Sequence, residues 1–180
     1  MSNRKIKLTV IIIPLIILFS YFFTALYSFH QFHKGIYYND KKLIKDYVEW
    51  DELRENFKNY INIQLLKETQ KSEELKDLGE FGVLLSGFAA KLVETMVDDY
   101  LNPEGLSMLI EKSERKDEIP EPTFLTLIGG FTIMDFNGHS SFYVTYENEG
   151  QKLPIFFTRK GLTWKITQIE FPENLLESIK

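Results

Sequence analysis

The stretch FTIMDFNGHSSFYVTYENEGQKLPIFFTRKGLTWKITQIEF, residues 131–171, determines the fold class. Three turn signals divide it: Asn137-Gly138, Glu149-Gly150 and Lys160-Gly161. Asn-Gly between apolar runs is the strongest short-range signal for a β-hairpin. The segments between the turns are rich in aromatic and β-branched residues, which strands favour. The pattern therefore predicts an antiparallel meander of four strands at residues 131–136, 141–146, 153–158 and 163–171.

The fourth segment changes its alternation part-way along. Trp164 and Ile166 share one parity, whereas Ile169 and Phe171 share the other. Successive side chains of a strand point to opposite faces, so a change of parity requires one extra residue or burial on both faces. We therefore expect either a β-bulge in this strand or a strand that is covered on both sides.

Residues 30–112 have the periodicity of helices. Asp40 is predicted to start a short amphipathic helix, and Asp51 is placed as the N-cap of a longer one. Apolar residues at three- and four-residue steps define the longer helix, which a polar break at residues 67–77 is expected to end. A further helix is predicted over residues 78–97, and Asn102-Pro103 reads as an N-cap followed by proline at the first helical position of a short helix. Glycines at positions 79, 82 and 87 favour either a close approach of another backbone or a loop near 79–82.

Helices followed by an antiparallel meander predict an α+β fold, with the helical half packed on one face of the sheet. By analogy, a cystatin-like cone or a nuclear-transport-factor-like cone would suit this order of elements. Residues 113–122 are charged and end in two prolines, as expected of a linker. The predicted organisation is a tail and anchor at 1–29, a helical part at 30–112, the linker at 113–122 and a sheet part of the same domain at 123–180.

The amino-terminal segment predicts a membrane anchor. Residues 8–29 contain no charge, and 17 of these 22 residues are hydrophobic. As a helix this run is about 33 Å long, enough for a hydrocarbon core of about 30 Å. Arg4, Lys5 and Lys7 precede it, which places the tail in the cytoplasm by the positive-inside rule. We expect a single-pass protein of the inner (cytoplasmic) membrane with residues 30–180 in the periplasm or another extracytoplasmic compartment.

A cleaved signal peptide is the rival interpretation of the same segment. Signal peptides have a shorter apolar region of about 7–15 residues and end at a small-x-small site. The nearby small residues Ser20, Ala25 and Ser28 do not provide that spacing. The length of the apolar run favours the retained anchor.

Composition excludes several classes of function. The chain has no cysteine, which excludes disulfide scaffolds, thiolate metal sites and lipid attachment through cysteine. Acidic residues number 26 against 21 basic ones, so nucleic-acid binding is not expected. His30 and His33 are only a weak metal signal without a defined third ligand, and we predict neither a metal nor a cofactor.

Several short motifs resemble an uncharacterised bacterial envelope family, domain of unknown function 2939. The first motif is the run YVEWDELRENF at residues 47–57, within a similar stretch over residues 37–66. The others are an Asn-Pro-Glu-Gly-Leu element at residues 102–106 and an Arg-x-Gly-Leu-x-Trp-Lys pattern at residues 159–165. The resemblance implies a membrane-tethered exported domain, and it supplies no activity and no catalytic residues.

Candidate site residues fall into two groups. Arg54 lies close in sequence to acidic residues, which predicts a structural ion pair or, second, an anchor for an anionic ligand. The charged candidates are Arg54, Asp40, Asp51 and Arg159. The candidates for lining an apolar pocket are Trp50, Phe57, Phe88 and Trp164, for which core packing is the alternative.

Three functions remain open at this stage, and no catalytic residue is predicted. The first is a non-catalytic module that binds an envelope protein or a small apolar ligand on the concave face of the sheet. The second is a small hydrolase or isomerase with a buried carboxylate in the pocket between sheet and helix. The third is a structural subunit of a membrane complex. A buried, unpaired carboxylate in a cavity would favour the enzyme, whereas an apolar cavity or patch would favour the binding module.

Overall fold

The computed structural model describes residues 3–71, 80–112, 119–148 and 151–170. The helices are α1 (Asn3–Tyr38), α2 (Lys41–Asp46), α3 (Trp50–Lys71), α4 (Glu80–Tyr100), α5 (Pro103–Lys112) and α6 (Phe124–Ile133). The strands are β1 (Met134–Phe136), β2 (Ser141–Asn148), β3 (Gln151–Lys160) and β4 (Thr163–Ile169). The α+β prediction is confirmed.

The four strands form one open antiparallel sheet in the order β1-β2-β3-β4. Phe142 and Phe157 are paired across β2 and β3, and their rings stack with centroids 4.7 Å apart. Along β4, Phe157 pairs with Ile166 but Phe156 pairs with Gln168, so the register shifts by one residue. The predicted irregularity of this strand is therefore a β-bulge. The turn signal at residues 149–150 and Phe171 lie outside the described residues.

The inner face of the sheet is covered by α1. Ala25 and Leu26 of α1 are buried in the same hydrophobic core as Trp164 of β4. Ser28 is buried beside them. The backbone N–H of Trp164 donates to the Ser28 hydroxyl at 3.0 Å, and its indole N–H donates to the Thr24 hydroxyl at 3.2 Å. The helix does not end at residue 29, as the hydropathy suggested, but continues to Tyr38. The apolar helix itself thus covers this face of the sheet, where the sequence predicted a ligand.

Helix α6 was not predicted from the sequence. Thr123 and Thr126 form a reciprocal capping box at its start. It packs against α1 at Gly130, where an added Cβ would lie 2.9 Å from Leu26 Cδ1. The predicted strand over residues 131–136 is wrong in its first half, because residues 131–133 complete this helix and β1 begins at Met134.

The short helix α2 begins as predicted. The Asp40 carboxylate accepts hydrogen bonds from the backbone N–H groups of Lys42 and Leu43, at 2.9 and 3.1 Å. These two N–H groups have no partner inside the helix, so the side chain caps it. Asp40 is therefore the N-cap of α2.

Helix α3 begins beside β4. Glu49 N–H donates to Ile166 O at 2.8 Å and Ile166 N–H donates to Tyr47 O at 2.9 Å, which pairs this segment with the edge of the sheet. The helix therefore starts at Trp50, with Leu53 N–H donating to Glu49 O. The prediction of Asp51 as the N-cap is wrong, since Asp51 lies in the first turn. The predicted break at residue 67 is also misplaced, because the helix continues to Lys71.

Candidate functional site

An apolar groove lies between α3, α4 and α5. It has a volume of about 320 Å³. Its lining is entirely hydrophobic or aromatic: Phe57, Val93, Met96, Val97, Tyr100, Leu101 and Leu109. Ligand pockets usually range from about 300 to 1,000 Å³ and are mostly apolar, so this groove is at the small end of that range. A larger depression of about 480 Å³ follows Ile12, Leu15 and Phe19 on α1, where it is the open side of a single apolar helix.

The corner between α4 and α5 positions the groove. The Asn102 side chain accepts from the N–H of Gly105 at 2.8 Å and caps α5. A Cβ on Gly105 would lie 1.9 Å from the carbonyl oxygen of Tyr100. Only glycine permits this approach, so α5 can fold back and bring Leu109 over α4.

Charged residues connect α3 to this corner. Lys58 Nζ lies 2.6 Å from Asp98 Oδ1, and Arg54 Nε lies 3.9 Å from the same oxygen. Arg54 also donates to Leu101 O at 3.3 Å and forms an ion pair with Asp51. With its guanidinium engaged by two carboxylates and a carbonyl, Arg54 fits the structural ion pair better than the binding of a free anion. Its position beside the groove also gives the apolar surface a charged border.

The outer face of α4 carries an apolar stripe that leads into the groove. Phe88, Leu92, Met96 and Tyr100 recur at four-residue steps, and each is at least half exposed. Met108 and Leu109 on α5 are exposed beside its lower end. Lys91 and Glu94 form an exposed ion pair on the same helix, which raises the pKa of Lys91 and lowers the pKa of Glu94 through their hydrogen bond. Contiguous apolar surface of this kind marks interaction sites on soluble domains.

The structure separates the remaining candidates from one another. Asp40 caps α2, and the only described hydrogen-bond partners of its carboxylate are backbone N–H groups of that helix. Arg159 stacks over the rings of Tyr21 and Trp164, 5.3 and 5.9 Å from their centroids, and donates to Gly161 O. Trp164 lies in the core and Trp50 packs against it, whereas Phe57 lines the groove and Phe88 lies on the stripe.

Sequence reasoning missed several groove residues. Asp98, at the border of the groove, was not a candidate; it is exposed, and Lys58 and Arg54 meet it from α3. A detectable signal existed, since Arg54 and Lys58 are four residues apart and therefore share a helix face. No comparable signal identified Met96 or Leu109, because an exposed apolar residue and a buried one look alike in a helical pattern.

Acidic groups are distributed over the surface. Every Asp and Glu whose side-chain burial is described is partly or fully exposed. Within the described ranges, no three His, Asp or Glu residues are grouped as metal ligands. The buried polar side chains that the structure describes are Ser28, Gln64, Ser107 and Thr167.

Comparison with protein families assigns the chain. A model described as "Protein of unknown function (DUF2939)" matches residues 15–109, more than half of the 180 residues. The chain belongs to the DUF2939 family. The DUF2939 match begins in α1, contains α2, α3 and α4 and ends inside α5, so it includes the groove and the stripe. The sheet and the pattern at residues 159–165 lie beyond it. Comparison with curated proteins and with solved structures found no match.

Among the residues that the structure describes, the DUF2939 protein has one helix that is long and apolar enough to cross a membrane. The segment Val10–Tyr38 of α1 has a mean hydropathy of 2.4 over its most apolar window. Residues 10–20 are exposed along their whole length, and α1 first contacts the sheet at Tyr21, whose hydroxyl donates to His139 O at 2.7 Å. By length and composition the helix suits a membrane anchor or a signal sequence.

Proposed function

We propose that the chain is a single-pass protein of the bacterial cytoplasmic membrane whose extracytoplasmic domain binds an apolar helix of a partner protein. The observation that carries the proposal is the stripe Phe88–Leu92–Met96–Tyr100, which runs into the groove between α3, α4 and α5. The partner helix lies along the stripe and places one side chain in the groove.

A retained anchor is supported by where α1 packs. Signal cleavage between residues 28 and 32 would remove Ala25, Leu26 and Ser28, which are buried beneath the sheet. A signal peptide leaves before the mature fold is complete, so it does not normally supply the core of that fold. Basic residues at positions 4, 5 and 7 support a cytoplasmic amino terminus.

A protein helix suits the stripe better than a small apolar ligand does. The four side chains extend over about 18 Å of α4, which is much longer than one small molecule. Recognition of an amphipathic helix uses such rows of anchors at three- and four-residue spacing. Methionine at positions 96 and 108 adds adaptable apolar surface. Exposed acids outnumber bases on α4 and α5, so we expect basic residues to border the partner's apolar face.

Site-specific photo-crosslinking in cells tests the proposal. A benzophenone amino acid replaces Leu92 or Met96 in the full chain, and the matched control carries it at Glu94 on the neighbouring face of α4. We expect the two stripe positions to give the same protein adduct and the control position to give several-fold less. Mass spectrometry should map the adduct to the apolar face of a helix in the partner.

Two results would contradict the proposed function. Equal adducts from Leu92 and Glu94, or none from either stripe position, would exclude a partner at the stripe. Adducts only of lipid or metabolite mass would assign the groove to a small apolar ligand. As a specificity check, Met96→Glu should abolish the adduct from position 92, because it places a charge in the apolar contact.

A further inference from the structure

The side of α1 opposite the sheet carries an exposed aromatic row. Phe19, Phe23 and Tyr27 follow one another at four-residue steps, and their rings stack with centroids 6.3 and 6.4 Å apart. All three are exposed, whereas Tyr21 and Ser28 on the other side of the helix contact the sheet. The row ends where Gln31 donates to the Tyr27 hydroxyl at 2.6 Å. This face of α1 is therefore apolar up to Tyr27 and polar beyond it.

Helix α6 extends that apolar face sideways. Leu26, which contacts Gly130 of α6, is a helical neighbour of Phe23 at a spacing of three residues. On its free side α6 exposes Phe124, Leu125 and Ile128, and Leu125 is 79% exposed. Residues 122–134 contain no charge. A helix of about ten apolar residues that is not fully buried fits a segment placed in a membrane interface.

Helix lengths show why the domain cannot stand clear of the bilayer. The apolar part of α1 that precedes its first contact with the sheet runs from Leu8 to Ser20 and is about 20 Å long. A hydrocarbon core is about 30 Å thick, so this part alone leaves a mismatch of about 10 Å. Measured along the open face, from Leu8 to Tyr27, the apolar length is about 30 Å. The apolar length of α1 therefore matches the thickness of the hydrocarbon core on the face opposite the sheet and falls short of it on the side that contacts the sheet.

We propose that the α1–α6 face, formed by Phe19, Phe23, Tyr27, Phe124, Leu125 and Ile128, is immersed in the outer leaflet of the membrane. This inference rests on the anchor of the proposed function. Tilting of α1 towards the α1–α6 face brings α6 into the lipid and lifts the sheet away from it, so that the longer apolar side of the helix is the immersed side. Tyr27 and its partner Gln31 then lie at headgroup depth, where tyrosine is enriched.

The sheet side has the opposite character at the same depth. The hairpin tip between β1 and β2 presents Asn137, His139 and Ser140 as exposed residues, and Tyr21 binds its backbone. Arg159 lies beside it on the Tyr21 ring. These polar groups would be costly in hydrocarbon, so they determine which way the helix tilts. The lipid bilayer is thus the occupant that matches the α1–α6 face, and the polar groups on the sheet side stay outside the hydrocarbon.

Depth-dependent quenching of a fluorophore tests the inference directly. The chain has no cysteine, so a single cysteine gives one labelling site. The full chain carries an NBD label at Leu125→Cys or Ile128→Cys and is reconstituted in phosphatidylcholine vesicles with or without nitroxide-labelled lipid. We expect lipid quenching at both positions to approach that of a label at Phe19→Cys. It should exceed several-fold the quenching of a label at Glu147→Cys, because Glu147 is an exposed residue of β2 and lies on neither α1 nor α6.

The controls separate failure of this inference from failure of the anchor. Quenching at position 19 but not at 125 or 128 would overturn immersion of α6 and leave the anchor in place. Loss of lipid quenching at position 19 would exclude the anchor itself. Copper-catalysed disulfide formation between Leu125→Cys chains, with no lipid quenching, would assign the α1–α6 face to contact between copies and would also overturn the inference.

Discussion

Ser28 is one of the residues that join the apolar helix to the sheet. Its buried hydroxyl accepts the backbone N–H of Trp164, itself fully buried. Replacement by alanine leaves that N–H without its partner in a site that water does not reach. A buried donor in this state costs about 1–3 kcal/mol. We therefore expect Ser28→Ala to lower the free energy of unfolding by this amount, measured by tryptophan fluorescence of the detergent-solubilised chain during denaturation.

The matched control is Ser20→Ala, since Ser20 lies on the exposed part of the same helix. This replacement should change the free energy of unfolding by less than about 0.5 kcal/mol. Equal effects of the two variants would mean that the hydrogen bond between Ser28 and Trp164 contributes nothing measurable to stability.

At the scale of elements, replacement of two glycines by alanine should change the stability of the domain in opposite directions. Gly105 at the corner of α4 and α5 has no room for a Cβ, which would lie 1.9 Å from Tyr100 O. Gly87 lies in the middle of α4, and a Cβ there would meet no atom of the described residues within 4 Å. Gly105→Ala should destabilise the domain by about 1–3 kcal/mol through overpacking. Gly87→Ala should stabilise it by up to about 1 kcal/mol, because alanine is the better helix former.

Thermal unfolding of both variants, with the groove crosslink from position 92 as a second measurement, checks this prediction. Gly105→Ala should weaken the crosslink because it displaces Leu109 from the groove. Gly87→Ala should leave the crosslink unchanged. If Gly105→Ala had no effect on either measurement, the α4–α5 corner would differ from the one described here.

The elements also show what a single sequence can predict. The strands could be predicted from the sequence because Gly138 and Gly161 occupy the turns between them. Both glycines have a positive φ, which few other residues adopt. The helix caps Asp40 and Asn102 could also be predicted, because each side chain binds backbone N–H groups only two or three residues further along the chain. Helix α6 could not be predicted, because residues 124–133 are apolar on every side and have no helical period to detect. The groove was only partly predictable, since Phe57 was a candidate but the side chains that line the groove with it come mainly from other helices.

At the scale of the whole molecule, α1 belongs to two environments. Hydropathy assigns residues 8–29 to one continuous segment, because the interior of a protein and the interior of a bilayer select the same side chains. The structure divides that segment at Tyr21, where exposed residues give way to residues packed on the sheet and α6. Packing of α1 on the domain therefore begins at Tyr21, eight residues before the predicted boundary at residue 29.

This division predicts how the chain tolerates truncation. Removal of residues 1–20 leaves every described contact between α1 and the sheet, whereas removal of residues 1–29 deletes Ala25, Leu26 and Ser28 from the core. Burial of a single leucine stabilises a fold by about 1.5–3 kcal/mol. Whole domains are stable by only about 5–15 kcal/mol. In one mild detergent, we expect residues 21–180 to unfold cooperatively by tryptophan fluorescence and residues 30–180 to show no transition. Cooperative unfolding of residues 30–180 at the same Tm would show that the helix is dispensable, and a cleaved signal sequence would then account for α1.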